Sequence, residues 1–431
     1  MKYFVKKRIF AVVFLLAMFA FSAVNIYLNT DAFVKATEKY EKDAKAGVLK
    51  QNAKELDENG KEKGPDTLPK RYEKVMQDGI YGKTEFVETY GFTQKTLGKK
   101  EFNAFEFVKD NNGFMHYASF YRDEVKNIFE CALRVKKLQN YVEKYGTKVL
   151  FVMAPAKYSR QYSDFATGMP VNDPTEDTLE MMIYLNRLGV PNINLGEYIP
   201  SRTVPYKDAF FKTDHHWTVP AAFEGTKIVV NELNERYGAN LDPTGYYLSD
   251  NAYKKQKFKG QMLGSMGRDT GIAYAGLEDF EAYLPNFEGH YKRTFIMDEE
   301  EKREGSYSET LLNMEVLQPN INYYVDSQYS LYVDQVTSLE NIENLDNPDG
   351  PSMLMIRDSY FGPVIPFMAP LCSKIDAIWS LEKMDNMNVG EYIKKQYESG
   401  EKYDYLIVEY YPHNLEEDAF KFFRGDNDYE D

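Results

Sequence analysis

The chain has 431 residues and a formal charge of −15, from 52 Lys and Arg against 67 Asp and Glu. That length can bury a core without disulfides, and so acidic a chain repels a phosphate backbone, which excludes nucleic-acid binding through a basic face. Two cysteines, Cys131 and Cys372, are too few for a disulfide framework or a cysteine-rich metal site, and 15% aromatic residues exclude a largely disordered chain.

The first element is a targeting segment. Lys2, Lys6, Lys7 and Arg8 precede twenty uncharged residues, Ile9 to Leu28. Twenty helical residues span about 30 Å, the thickness of a bilayer core. The basic flank predicts an N-terminus in the cytoplasm and everything after the helix beyond the membrane. Ala20-Phe21-Ser22 is a passable small-residue cleavage site, but the apolar run continues six residues past it. Residues 1–30 are therefore expected to be an uncleaved anchor; cleavage would instead give a secreted protein. Residues 31–100 read as a charged tether, with 38–64 mostly Lys, Glu, Asp, Asn and Gly.

From Val125 to Val142 apolar residues recur at helical spacing, and Gly146 ends the run. Lys148 to Ala154 (KVLFVMA) is a short apolar run, as expected of a strand buried on both faces. A helix over Thr175–Leu188, a strand near Val190–Leu195 and a helix over Val219–Tyr237 follow. After 350 come strand Met353–Ile356, helix Pro363–Leu371, strand Ile375–Trp379, helix Val389–Tyr397 and strand Tyr403–Val408. This alternation predicts an α/β fold in three layers, with a mostly parallel sheet between helices. Residues 241–349 lose the rhythm and are expected to be an α+β insertion with short antiparallel strands. The core domain would then combine 101–240 with 350–431.

Two motifs carry chemistry. In AFFKTDHHWT, Asp214 stands two residues before His216, and in an extended segment i and i+2 share a face. Asp214 can then fix the tautomer of His216 and stabilise its imidazolium, while His215 points elsewhere. A zinc site is disfavoured, because the two histidines diverge and no HxxH or cysteine pair completes it. In MLMIRDSYFGP, an apolar strand stops, Ser359 sits on the turn and Pro363 can open the next helix. A Ser at the carboxyl end of a parallel strand is exposed where such folds bind ligands. With the Asp-x-His element it completes an orienter, base and nucleophile in the order Asp214, His216, Ser359.

TDHHWT and IRDSY together resemble the DHHW family of exported proteins, which is similar to the SGNH-hydrolase-like O-acetyltransferases of alginate and other exopolysaccharides. The resemblance runs from about Asn112 to the C-terminus and includes NNGFMHY, VMAPAK (Pro155, Lys157), FKGQMLG around Gly260, and YDYLIVEYYPHNL. It implies a Ser-His-Asp triad of Ser359, His216 and Asp214 on an SGNH-hydrolase-like fold. The motif order is circularly permuted, since ordinary SGNH esterases carry the Ser first. Arg357 stands where the ordinary block has Gly, which leaves the oxyanion donors open, and Val219-Pro220 replaces the more usual Gly after HWT. Candidates for substrate or oxyanion contact are His215, Trp217, Lys157, Arg357, Tyr360 and Gly260. Each also has a structural reading: a solvated loop lysine, an Arg paired with an acid, a turn glycine, core aromatics. His290 and His413 have no local partner and read as surface or core residues.

The expected function is extracytoplasmic O-acetyl transfer to a cell-surface or secreted polysaccharide, without cofactor or metal. Acetyl-CoA does not reach that side, so a membrane-bound O-acyltransferase partner is expected to supply the acetyl group. The alternatives are a carbohydrate O-acetyl esterase with the same triad, and a non-catalytic glycan-binding scaffold.

Overall fold

The computed structural model describes residues 2–45, 67–118, 126–296, 301–319, 321–334, 339–380, 389–416, 419–420 and 422. The chain divides into two compact units, residues 1–89 and 90–431.

The first unit is helical: Lys2–Leu28, Thr30–Lys45, Leu68–Asp78 and the start of Lys83–Thr96. Arg8–Leu28 is long and apolar enough to cross a membrane. Asn25 is the one buried residue among its exposed neighbours from 8 to 28. Its Oδ1 accepts the Tyr81 N–H at 2.6 Å, and the Asn29 amide donates to the Gly79 carbonyl at 2.8 Å. Phe21 meets Phe86 edge to face, and Arg71 pairs with Asp43 at 2.6 Å. Within the expected tether, Thr30–Lys45, Leu68–Asp78 and Lys83–Thr96 are helical. The rest of its charged stretch, residues 46–64, lies outside the described residues.

The second unit holds strands β1 (Glu101–Phe102), β2 (Phe107–Lys109), β3 (Met115–Tyr117), β4 (Lys148–Met153), β5 (Asn192–Asn194), β6 (Tyr253–Met262), β7 (Glu278–Pro285), β8 (His290–Ile296), β9 (Glu301–Ser306), β10 (Leu339–Asn344), β11 (Ser352–Arg357), β12 (Lys374–Trp379) and β13 (Tyr405–Tyr410). The large sheet has the order β5-β4-β13-β11-β12-β10-β8-β9. Its first five strands are parallel; β10, β8 and β9 extend it antiparallel. Period-two alternation sorts the side chains onto two faces. Leu150, Val152, Met355 and Ile407 face helix Val219–Tyr237. Val149, Phe151, Leu354, Ile356, Leu406 and Val408 face helices Ile128–Glu143, Thr175–Leu188 and Val389–Glu398. Both faces are covered, so the central strands read as unbroken apolar runs.

Residues 241–349 are not set apart from this sheet. They form the antiparallel β6–β7 ribbon, and they also supply β8, β9 and β10 to the main sheet. A buried ionic cluster ties the extension to β11. Glu340 on β10 accepts from Arg293 on β8 at 2.6 Å and from Arg357 at 2.7 Å. Each of the three side chains is about 1% exposed, and Arg293 also lies 3.6 Å from buried Asp334, so two guanidiniums face two carboxylates away from water.

Candidate active site

The segment before helix Val219–Tyr237 places the first two members. Residues 212–216 form a chain of bends rather than a strand. Asp214 Oδ1 accepts the His216 backbone N–H at 3.0 Å and the His216 Nδ1–H at 2.6 Å. The expected pairing of Asp214 with His216 occurs, but through this tight turn and not through strand alternation. A second partner fixes the other oxygen, since the Ser265 N–H donates to Asp214 Oδ2 at 2.7 Å. Gly264 permits that approach: a Cβ there would stand 2.3 Å from the Asp214 Cβ. Burial opposes the Asp214 charge, but the His216 and His215 rings and the Ser265 N–H hold its carboxyl well below the usual range.

Strand β11 places the third member. It ends at Arg357, and Ser359 opens a short 3-10 turn, Ser359–Phe361. Ser359 Oγ lies 2.7 Å from His216 Nε2. The turn is fixed by Asp358, whose Oδ1 accepts the Tyr360 N–H at 2.9 Å. Asp358 Oδ2 accepts from the Tyr411 N–H at 2.7 Å and the Asn414 amide at 2.8 Å. The Asp358 N–H in turn donates to buried Glu409 on β13 at 3.1 Å. Burial, and then the neighbouring Asp358 charge, push the Glu409 carboxyl well above its ordinary range. Tyr329 stacks on the His216 ring with centroids 4.3 Å apart and covers its far face.

Ser359 opens into a cavity of about 370 Å³ lined by His116, Tyr117, Lys157, Tyr158, Asn172, His215, Met266, Tyr411, His413 and Asn414. A wider hollow of about 690 Å³, lined by Arg202, Tyr206 and Lys207, contains none of the three linked side chains. Asp214, His215 and His216 bring possible metal-ligand atoms within 4.8 Å of one another. A cation bound through His216 Nε2 would have to break the bond to Ser359.

The remaining sequence candidates separate into two groups. His215 and Lys157 line the cavity. The His215 ring does not point away from His216 as expected: the centroids are 3.9 Å apart with the rings tilted by 36°, because the segment is a chain of bends rather than a strand. Lys157 is not a solvated loop lysine: it is 2% exposed, and its ammonium donates to the carbonyls of Asp214 at 2.6 Å and Lys212 at 3.0 Å. Burial lowers its pKa to about 7, against the opposing pull of Glu278, Asp214 and Asp110.

The others do not reach the cavity. Trp217 is fully buried, packs against Gly225 where a Cβ would fall 2.7 Å from the ring, and donates its indole N–H to the Tyr360 carbonyl. It is a wedge under the site and not a sugar platform. Tyr360 is fully buried with its hydroxyl on the His215 carbonyl. Arg357 is turned into the Glu340 cluster and over Trp379, at 4.8 Å from its ring. Gly260 sits in the β6–β7 ribbon and gives its N–H to Asp279 at 2.9 Å, so it is no oxyanion donor. In FKGQMLG it is the second glycine, Gly264, that touches the site.

Sequence reasoning missed His116, Tyr117, Tyr158, Asn172, Tyr411, His413 and Asn414. His413 and Asn414 follow β13 directly, at the carboxyl end of a parallel strand, and that position was the available signal.

Residues 114–290 match the family described as SGNH hydrolase-like domain, acetyltransferase AlgX. No curated protein matches the sequence. Among solved structures, Bacillus cereus PatB1 with a sulfonyl adduct has a TM-score of 0.56 at 16% identity, covering 73% of this chain and 97% of that one. A DHHW family protein from Eubacterium siraeum DSM 15702 has a TM-score of 0.50 at 15% identity, over 72% and 94% of the two chains. The chain has the SGNH hydrolase-like fold, and its residues 114–290 are similar to the AlgX-type SGNH hydrolase-like acetyltransferase domain.

Proposed function

We propose that the protein is a membrane-anchored O-acetyltransferase working outside the cytoplasm on polysaccharide hydroxyls, with Ser359 as nucleophile, His216 as general base and acid, and Asp214 as its orienter. The observation that carries this reading is the continuous hydrogen-bonded line from Asp214 through His216 to Ser359, opening onto a cavity. Ser359 Oγ attacks the acyl carbon of an acetyl donor while its proton passes to His216 Nε2, and that proton leaves with the donor's alkoxide. A sugar hydroxyl then attacks the acetyl-serine, gives its proton to His216, and releases Ser359 Oγ, which takes the proton back. Asp214 accepts from Nδ1 throughout, so Nε2 stays free to take a proton. The side-chain amides of Asn172 and Asn414 line the cavity and are assigned to the developing oxyanion.

The catalytic unit would combine residues 101–240 and 350–431, with 241–349 completing its sheet, and residues 1–30 would anchor it. The basic residues before the apolar helix favour an N-terminus inside and a catalytic unit outside. The acetyl group would then come from a membrane-bound O-acyltransferase, because acetyl-CoA is cytoplasmic.

The test is active-site labelling of the detergent-solubilised chain with a sulfonyl fluoride, read by peptide mass spectrometry. A sulfonyl adduct is already recorded for Bacillus cereus PatB1. Label is expected on Ser359 and should fall sharply in Asp214→Asn. Equal labelling of the parent and Ser359→Ala would end the serine-nucleophile reading. Release of acetate from a donor ester without acetyl gain on any glycan would make the protein an esterase.

A further inference from the structure

The cavity at Ser359 has no carboxylate and no guanidinium among its described lining residues. It is lined by three imidazoles (His116, His215, His413), three phenols (Tyr117, Tyr158, Tyr411) and two amides (Asn172, Asn414). Its one cation, Lys157, is nearly enclosed and spends two N–H bonds on the carbonyls of Asp214 and Lys212. The cations close by are also engaged. Arg160 pairs with Asp173 at 2.5 Å, and Lys126 lies 3.7 Å from Asp177 and 3.8 Å from Glu416.

Burial holds the three imidazoles below their ordinary pKa, so at neutral pH they enter contacts as uncharged rings. Behind them stands the ionised Asp214, and the whole chain carries −15. A carboxylate entering this cavity would lose its hydration and find, among the described lining residues, only the enclosed Lys157 ammonium, two of whose N–H groups are already on carbonyls, and would face the Asp214 charge. A cluster of hydroxyls would instead find donors and acceptors of matching kind in imidazole, phenol and amide groups.

We propose that the acceptor admitted to this cavity is an uncharged, hexose-type sugar, and that uronic acids are disfavoured there. This rests on the acetyl-transfer reading and names the substrate class for it. The bonds change as in that reading: the neutral sugar's hydroxyl oxygen joins the acetyl carbon, its proton goes to His216, and Ser359 leaves with that proton.

The experiment uses the full-length protein in detergent with p-nitrophenyl acetate as donor. The acceptors are an oligouronate and its carboxyl-reduced counterpart, identical in length and linkage, with acetyl gain read by mass spectrometry. The reduced, neutral acceptor is expected to be acetylated roughly ten- to a hundredfold faster. Equal rates, or preference for the uronate, would overturn the acceptor assignment and leave acetyl transfer standing. Acetyl gain on neither acceptor, with p-nitrophenol still released, would overturn the transfer reading and this inference with it. A variant gives an independent check. His413→Arg adds a fixed cation to the wall and is expected to shift the ratio towards the uronate. An unchanged ratio in that variant would show that cavity charge does not select the acceptor.

Discussion

Asp214 holds His216 at two points, backbone N–H and ring Nδ1, so loop position and imidazole orientation are set by one carboxylate. His215 shares the cavity wall but has no bond to Ser359, and this separates the two histidines functionally. His216→Ala is expected to lower kcat by about 10³- to 10⁴-fold or more, in line with losses of triad members. His215→Ala is expected to act mainly on acceptor KM, by about tenfold, because it removes part of the cavity wall and its tilted contacts with neighbouring rings. Steady-state kinetics with a fixed donor and varied acceptor would separate the two. Larger kcat loss in His215→Ala would reverse the assignment. The hydrogen-bonded line of Asp214, His216 and Ser359 could be picked from sequence because its signals are local: Asp-x-His and a Ser after an apolar strand. The walls could not, because His116, Asn172 and His413 come from three parts of the chain far apart in sequence: strand β3, a loop, and the short 3-10 turn after β13. Trp217 and Arg357 misled for the opposite reason. They stand beside triad residues in the chain, yet their side chains point into the protein core.

Strand β11 and the turn after it form the element on which the nucleophile depends. The strand is apolar and central, and its following Asp358 is caught between Tyr360, Tyr411 and Asn414. Glu409 beneath it has one carboxyl oxygen on the Asp358 N–H and the other without a partner among the described residues. Its raised pKa has a definite sign for stability. Below the ordinary carboxyl range both folded and unfolded forms hold the proton. As pH rises from there towards the folded-state pKa, the unfolded chain ionises first, and stability falls. Glu409→Gln keeps an acceptor for the Asp358 N–H and cannot ionise. It is expected to melt with the parent at about pH 3.5, below the ordinary carboxyl range, and above the parent at pH 8, as calorimetry at both values would show. A lower melting temperature at pH 8 would mean that Glu409 is needed as a charge. The strands at this scale were readable because burial on both faces leaves continuous apolar runs such as KVLFVM. β8, β9 and β10 were not readable as sheet members. Their Lys, Arg and Glu residues break the alternation, and the cluster of Arg293, Glu340 and Arg357 takes the place of an apolar core pair.

For the whole molecule, the question is whether the N-terminal helix stays. Its far end is built into the first unit: Asn25 and Asn29 bind the backbone at Tyr81 and Gly79, and Phe21 meets Phe86. Cleavage near Ser22 would remove Phe21, which meets Phe86 and accepts the Asn25 amide through its carbonyl, and would leave Asn25 and Asn29 on a frayed new N-terminus. The chain is therefore expected to remain in the membrane fraction through alkaline carbonate washing, with an intact mass that includes residues 1–30. Soluble protein with a new N-terminus near Ser22 would overturn the anchor. Composition identified this helix readily, since twenty uncharged residues after a basic cluster need no tertiary context. The helices at Thr30–Lys45 and Leu68–Asp78 were hidden, because their charged sequence reads equally as solvated coil and as amphipathic helix.

The order of strands in the sheet sets a timetable for assembly. β13 is the last strand described in the chain, yet it lies between β4 and β11, pairing with Lys148–Met153 on one side and with Met353–Ile356 on the other. With the proposed anchor holding the N-terminus inside, the residues after it would cross in chain order, and β4 would emerge long before β13 arrives to cover its edge. Until then Asp214 and His216 have emerged without Ser359, which is 143 residues further along, and without the Tyr411 and Asn414 clamp on its turn. Long-range strand pairing of this kind is slow to form. On the proposed topology Ser359 would meet His216 only when translocation is nearly complete, so the proposed acyl transfer would stay silent until the chain has crossed.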